Sequence, residues 1–191
     1  MTINNDPSDA AMTTDELLAT FKGENLDAYR KRKEILNSVQ RESKKYIKKP
    51  PSEWPKLQFN WDLTEDGQHY SFDGLSQDEL RNCYPNGLNL GWVNNHELNK
   101  ALHSASQRND DELWMIGCSS KTARMIAYLA RGEKISPPAV KLVDNKIVFV
   151  GGNHRYAIFK ISGGERLPLY IDPKDVKAIN SVLTINWVHA N

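Results

Sequence analysis

The chain has 191 residues, 39% of them hydrophobic, and its 25 Lys and Arg nearly balance 24 Asp and Glu for a net charge of +1. That length suits one domain, or one domain with an arm, and is enough to bury a core. No stretch approaches ~18 uninterrupted apolar residues, which excludes a membrane-spanning helix, and near-neutrality argues against a protein that coats nucleic acid through bulk charge.

Residues 1–14 carry neither a basic n-region nor an apolar h-region, so no signal peptide is expected. Two cysteines, Cys83 and Cys118, make neither a C-x-x-C pair nor a disulfide framework, which points to a reducing cytoplasm. The first twelve residues, rich in Asn, Asp, Ser and Ala, read as a mobile tail. Thr13 with Glu16 forms a capping box for a helix over 15–22, closed by Gly23. A second helix is expected from Asn25 to about Lys48, with Leu26, Tyr29, Leu36, Val39 and Tyr46 as its apolar stripe and Pro50-Pro51 as its stop.

Charge is unevenly spread. Arg30, Lys31, Arg32, Lys33, Arg41, Lys44, Lys45, Lys48 and Lys49 are opposed between them only by Glu34 and Glu42, whereas Asp62 to Glu79 holds six acids and no Lys or Arg. The basic residues lie largely off the apolar stripe. They make either a solvated helix face or a contact for nucleic-acid phosphates or an acidic partner.

Leu57, Phe59, Trp61 and Leu63 alternate with polar residues, the pattern of a half-buried strand. Glu65-Asp66-Gly67 then supplies a turn, and Tyr70 and Phe72 suggest a returning strand. Ser76 to Glu79 is a second capping box. After the Pro85-Asn86-Gly87 loop a helix carrying Leu98, Ala101, Leu102 and Ala105 is expected. His69, His96 and His103 lack metal-ligand spacing.

Leu113 to Ile116 reads as a short strand, and Ser119 or Ser120 as the cap of a helix with Met125, Ile126 and Leu129, ended by Gly132. Pro137-Pro138 forces extended chain, and Ala139–Val143, the Asp144-Asn145 turn and Lys146–Val150 form a hairpin. It leads into Gly151-Gly152-Asn153-His154-Arg155 and a helix over Tyr156 to Ile161. Gly163-Gly164 closes that helix, Leu167 to Ile171 is a strand, and Val182 to Val188 a final one. Strand, glycines and helix start form a phosphate site in principle, because glycines admit an anion and free N–H groups point at it. The other reading is a glycine-rich turn with surface His and Arg.

The stretch Ile135 to Asp172 resembles the ParB/sulfiredoxin superfamily. A proline-marked strand, a hairpin, the Gly152-Asn153-His154-Arg155 box opening a helix, and the Leu167-Pro168 step into a strand follow that family's order, and Ala130 to Ile135 is similar to its preceding helix end. The match covers roughly Leu113 to Ile171, about a third of the chain. It implies an α+β fold with a small mixed sheet and flanking helices, and the helices read over the first fifty residues add an N-terminal helical arm. The expected organisation is a tail and basic arm over 1–50, a hairpin and helices packing on the core over 51–110, and the family-like core over 111–191.

The resemblance also implies nucleotide chemistry, with ATP or CTP and Mg²⁺. Gly151, Gly152, Asn153, His154 and Arg155 would hold phosphate, His154 and Arg155 would stabilise charge in phosphoryl transfer, and Glu133 would orient a water or hold the metal. Lys121 and Arg124 could extend the positive pocket, and Arg41, Lys44, Lys45, Lys48 and Lys49 could contact DNA or a partner. Asn153 stands where sulfiredoxins carry Cys, so sulfinic-acid reduction is not expected. Too little chain follows the box for a helix-turn-helix. Two classes of function remain open. One is a phosphohydrolase, ATPase and/or DNase, similar to plasmid-encoded inhibitors of conjugative or T-DNA transfer. The other is a non-catalytic nucleotide-sensing module that binds DNA or a component of a conjugative transfer system.

Overall fold

The computed structural model describes residues 12–21, 23, 25–107, 109–115 and 117–188. The tail expected over the first twelve residues lies outside them except for Met12. The chain forms an α+β fold divided into two compact units, residues 1–41 and 42–191.

The first unit holds α1 (Thr14–Phe21) and most of α2 (Leu26–Ser43). The Thr13 capping box forms: its amide donates to Glu16 Oε2 at 2.7 Å, and the Glu16 amide to Thr13 Oγ1 at 3.3 Å. Two ion pairs clamp the hairpin, Arg30 to Glu16 at 2.7 Å and Lys33 to Asp15 at 2.8 Å. Part of the basic run is therefore neutralised within the unit. Helix α2 ends earlier than expected. It tightens into a 3-10 turn, Lys44–Tyr46, and Lys48 then adopts a left-handed φ of 59° before the prolines.

The second unit is built on a five-stranded mixed sheet. Strand β1 (Asn60–Trp61) lies outside it and pairs in parallel with β3 (Lys134–Ile135). Helix α3 (Gln77–Cys83) opens on the Ser76–Glu79 capping box, and β2 (Asn89–Asn94) runs directly into α4 (Asn95–Ala101). Helix α5 (Ser119–Ala130) precedes β3, β4 (Ala139–Val143) and β5 (Lys146–Gly151). Helix α6 (Asn153–Ile161), β6 (Arg166–Ile171), the short α7 (Val176–Ile179) and β7 (Asn186–Trp187) complete the unit. The strand order is β5-β4-β6-β2-β7, antiparallel except for β4 beside β6.

The hairpin expected at 139–151 is present, with Asp144 and Asn145 both at positive φ as a tight turn requires. Strand β6 is buried on both faces from Leu167 to Ile171, as a central strand must be. Pro168 is tolerated there because its nitrogen and that of Tyr170 point the same way. The Tyr170 amide donates to Pro138 at 2.9 Å, so the position two residues earlier lies beyond the end of β4, where no donor is needed. The core gathers Val93, Leu98, Phe149, Tyr156, Phe159 and Leu169, and Phe59 and Trp61 pack on Phe159 at 5.1 and 6.0 Å between ring centres.

One expected strand is much shortened and two are 3-10 helices instead. Of Leu57 to Leu63 only Asn60 and Trp61 pair, because their one partner is a two-residue strand. Tyr70 lies in a 3-10 helix, Glu65–Ser71, capped by the Thr64 hydroxyl, which receives the Gly67 amide. Residues Asp110–Met115 form another 3-10 helix instead of the strand expected at Leu113 to Ile116, whose last residue is outside the described set. Strand β2, which lies between β6 and β7, was not anticipated. The final strand shrinks to Asn186–Trp187. Among the described residues no helix is long and apolar enough to cross a membrane.

Candidate functional site

The glycine box sits where β5 becomes α6. Gly152 caps the helix in the left-handed conformation, φ 88°, and its carbonyl accepts from the Tyr156 amide at 2.9 Å. A Cβ on Gly151 would lie 2.0 Å from the Ser71 carbonyl oxygen, and one on Gly152 2.9 Å from Pro138 Cα. The room that these glycines open is thus taken by the protein's own backbone. The amides of Asn153, His154 and Arg155 form the first turn of α6, where the helix end carries partial positive charge.

Arg155 is the most heavily engaged side chain of the box. It is buried, and its guanidinium donates to the carbonyls of Ser136, Pro137 (3.3 Å), Tyr70 (2.8 Å) and Ser71 (3.2 Å). Burial pulls its pKa from the usual value down to about 10, and Asp73 opposes that shift. The donors expected to meet a phosphate are directed at four backbone carbonyls. Arg155 therefore ties the 70–71 turn and the 136–137 segment to the box, and the sequence pattern alone could not distinguish that role from ligand binding.

His154 and the start of α5 come together. An ideal Cβ at Gly117, itself at φ 57°, would lie 3.7 Å from both Cε1 and Nε2 of His154. The first turn of α5 thus begins beside the first turn of α6. Lys121, in that turn, pairs with Asp73 at 3.3 Å, and Asp73 also acts electrostatically on Arg155. Asp73 and Gly117 were not singled out from sequence. A glycine directly before a helix cap, as at Gly151, was the available signal for Gly117. Arg124 is one turn further along and donates from Nε to the Ser120 carbonyl at 3.3 Å.

Cys118 is the N-cap of α5, exposed, with Sγ 3.0 Å from Ser120 Oγ. The Ser120 hydroxyl foremost, then the Ser120 and Lys121 amides and the Arg124 charge, hold its thiol below the ordinary value. In a Cys83→Ser background, the pH profile of iodoacetamide alkylation should have its midpoint below that of a free thiol. Ser120→Ala should move the midpoint upward; an unchanged profile would show that the hydroxyl does not tune the thiolate.

Glu133 lies beyond the C-terminal end of α5 beside Tyr128, whose hydroxyl is pushed up by burial and by the Glu133 charge. It stands three residues before Ser136, whose carbonyl accepts from Arg155, and no hydrogen bond or ion pair joins it to the box among the described residues. Among the described residues no group of three His, Cys, Asp or Glu could hold a metal.

Of the basic residues after Lys33, Arg41 is exposed at the end of the first unit. Lys44, Lys45, Lys48 and Lys49 are exposed in the second. Lys45 pairs with Glu42 at 3.0 Å and lies over the Tyr46 ring, and Lys49 pairs with Glu53 at 2.6 Å. Beside the box, Ala139 and Val150 line a pocket of about 200 Å³ that also holds Phe72 and Tyr84, ring centres 5.3 Å apart. Comparison with protein-family models, with curated proteins and with solved structures finds no match to the chain.

Proposed function

We propose that the second unit binds a nucleoside triphosphate at the paired starts of α5 and α6 and hydrolyses it, as a phosphohydrolase of the ParB/sulfiredoxin type. The observation that carries this reading is the nearness of His154 to Gly117, where an added Cβ would lie 3.7 Å from the imidazole, which brings the start of α5, with Lys121 in its first turn, close to the start of α6. Amides of the first turn of α6 would donate to phosphate oxygens, and His154 and Lys121 would meet the charge that develops in phosphoryl transfer. Arg155 acts as a positioning residue. A base would stack in the pocket of Phe72 and Tyr84.

Mg²⁺ fits the donor set in a limited way. Asp73 offers one exposed carboxylate beside the site, and magnesium commonly takes one or two carboxylates together with substrate phosphates. The ion would neutralise phosphate charge there. DNA hydrolysis by the same groups and a role in blocking conjugative or T-DNA transfer follow from the family resemblance, and a reducing cytoplasmic setting from the two isolated cysteines. In size and architecture the chain is similar to a plasmid fertility-inhibition factor of that family, the oncogenic suppression activity protein.

Melting temperature should rise on titration with ATP or CTP, and Mg²⁺ should allow phosphate release. His154→Ala and Lys121→Ala should each lower release at least about tenfold while the ligand-free melting temperature stays in place. A protein that shows no nucleotide-dependent shift, releases no phosphate and leaves plasmid DNA intact would sink the reading. A nucleotide-dependent shift without turnover would favour the non-catalytic sensing module.

A further inference from the structure

A second cavity of the second unit is at the other end of α6 from the box. It is a groove of about 390 Å³ lined by Pro51, Trp54, Pro55, Leu57, Phe59 and Ser162, with Lys56 on its wall. Nine residues of helix, about 13 Å, separate it from Asn153. None of the chemistry assigned to the box uses it.

The groove is built, not incidental. Trp54 Nε1 donates to the Lys49 carbonyl at 3.0 Å, and the Trp54 amide to Pro51 at 3.1 Å, so the indole is held by the turn that carries it. Phe59 is braced edge-on against Phe159 at 5.1 Å. At the far side the chain after α6 cannot retreat, because a Cβ on Gly164 would lie 2.3 Å from the Phe159 ring. The result is an aromatic and proline-lined slot with a fixed ring in it.

The charge around the slot selects its occupant. From residue 44 to residue 56 the chain carries Lys44, Lys45, Lys48, Lys49 and Lys56 against Glu53 alone. Lys48 and Lys56 are exposed, and the Lys49 backbone touches the indole edge. Apolar ring surface bordered by lysines suits a chain of flat bases linked by phosphates. A proline-rich peptide is disfavoured, because aromatic grooves of that kind use a free indole N–H as donor and this one is already engaged. The C-terminal end of α6 at the groove is the negative end of a helix dipole, which favours the amino edge of a base over a phosphate at that point.

We propose that this groove binds single-stranded nucleic acid, with a base on Trp54 and the adjoining phosphates on Lys48 and Lys56. The inference stands on the groove and does not rest on nucleotide hydrolysis at the box. A strand held here would lie about one α6 length from the site where phosphoryl transfer is proposed.

The test is fluorescence anisotropy of the full chain with a labelled 12-nucleotide oligothymidylate, without nucleoside triphosphate or Mg²⁺. Its outcome is therefore independent of any turnover. Trp54→Ala and Trp54→Leu should each weaken binding about tenfold, Trp54→Phe should retain most of it, and the Leu variant keeps an apolar side chain in the slot should the Ala variant fail to fold. Changing Lys48 and Lys56 together to Gln should lower the slope of log affinity against log salt by about 1.4. Heparin of similar charge should bind without sensitivity to Trp54. Equal oligothymidylate affinity in wild type and Trp54→Leu would overturn the proposal. Saturation of the slot by a polyproline peptide, or duplex of the same length binding as tightly and with the same dependence on Trp54, would overturn it as well.

Discussion

Arg155→Ala is expected to destabilise the second unit by about 3 kcal/mol, the order of cost when buried carbonyls lose the donors of a charged group. Four carbonyls, of Tyr70, Ser71, Ser136 and Pro137, converge on one guanidinium, and each loses a charge-assisted donor in the variant. The opposing gain, relief of burying a cation, is real, since burial lowers the Arg155 pKa to about 10. It does not compensate, because the Ser71, Ser136 and Pro137 carbonyls remain buried without the planar fork that met them. Lys should not rescue the loss: its ammonium is a compact point charge that cannot bridge two separate chain segments as the guanidinium does. Urea unfolding of wild type, Arg155→Ala and Arg155→Lys measures the effect. A loss under about 1 kcal/mol with abolished nucleotide binding would instead make Arg155 a ligand-contacting residue.

Gly151→Ala should cost about 3 kcal/mol, at the upper end of overpacking penalties. The added methyl would lie 2.0 Å from the Ser71 carbonyl oxygen, a backbone atom that cannot rotate aside, and Ser71 is itself held by its hydroxyl to the Pro137 carbonyl at 2.7 Å. The turn and β5 would have to separate, which also pulls the Ser71 carbonyl from Arg155. By contrast, Gly163→Ala meets nothing within 4 Å and carries only the strain of φ 75°. Its cost should be about 1 kcal/mol. Thermal unfolding of the two variants separates the cases. If Gly151→Ala melts with wild type but fails to bind nucleotide, the glycine is kept for ligand approach and not for packing.

Local chemistry made some elements legible in the sequence. Both capping boxes form as their spacing requires, because Thr13 with Glu16 and Ser76 with Glu79 satisfy amides that lie within four residues of them. The Asp144-Asn145 hairpin is equally local, since two residues that tolerate positive φ set its register. Strand β2 was hidden for the opposite reason. Asn89, Gly91 and Asn94 are poor strand formers, and the segment is extended because β6, some eighty residues later, pairs with all six of its residues. Gly91 is needed there since a Cβ would lie 2.3 Å from Ile185 Cγ2, a contact between distant parts of the chain.

The candidate site divides along the same line. The order of strand, two glycines and helix start could be read directly, and with it the placement of Asn153 to Arg155 in a helix's first turn. Which of those side chains faces a ligand could not. Arg155 and His154 are adjacent in sequence and about 100° apart around the helix, so one enters the core and the other meets Gly117. Likewise Asp73, which pairs with Lys121 and acts on Arg155, arrives from a turn distant in sequence from both. Caps and turns follow from interactions between residues a few positions apart. The identity of the groups that share the site depends on which distant segments the sheet and α5 bring together, and only the folded chain decides that.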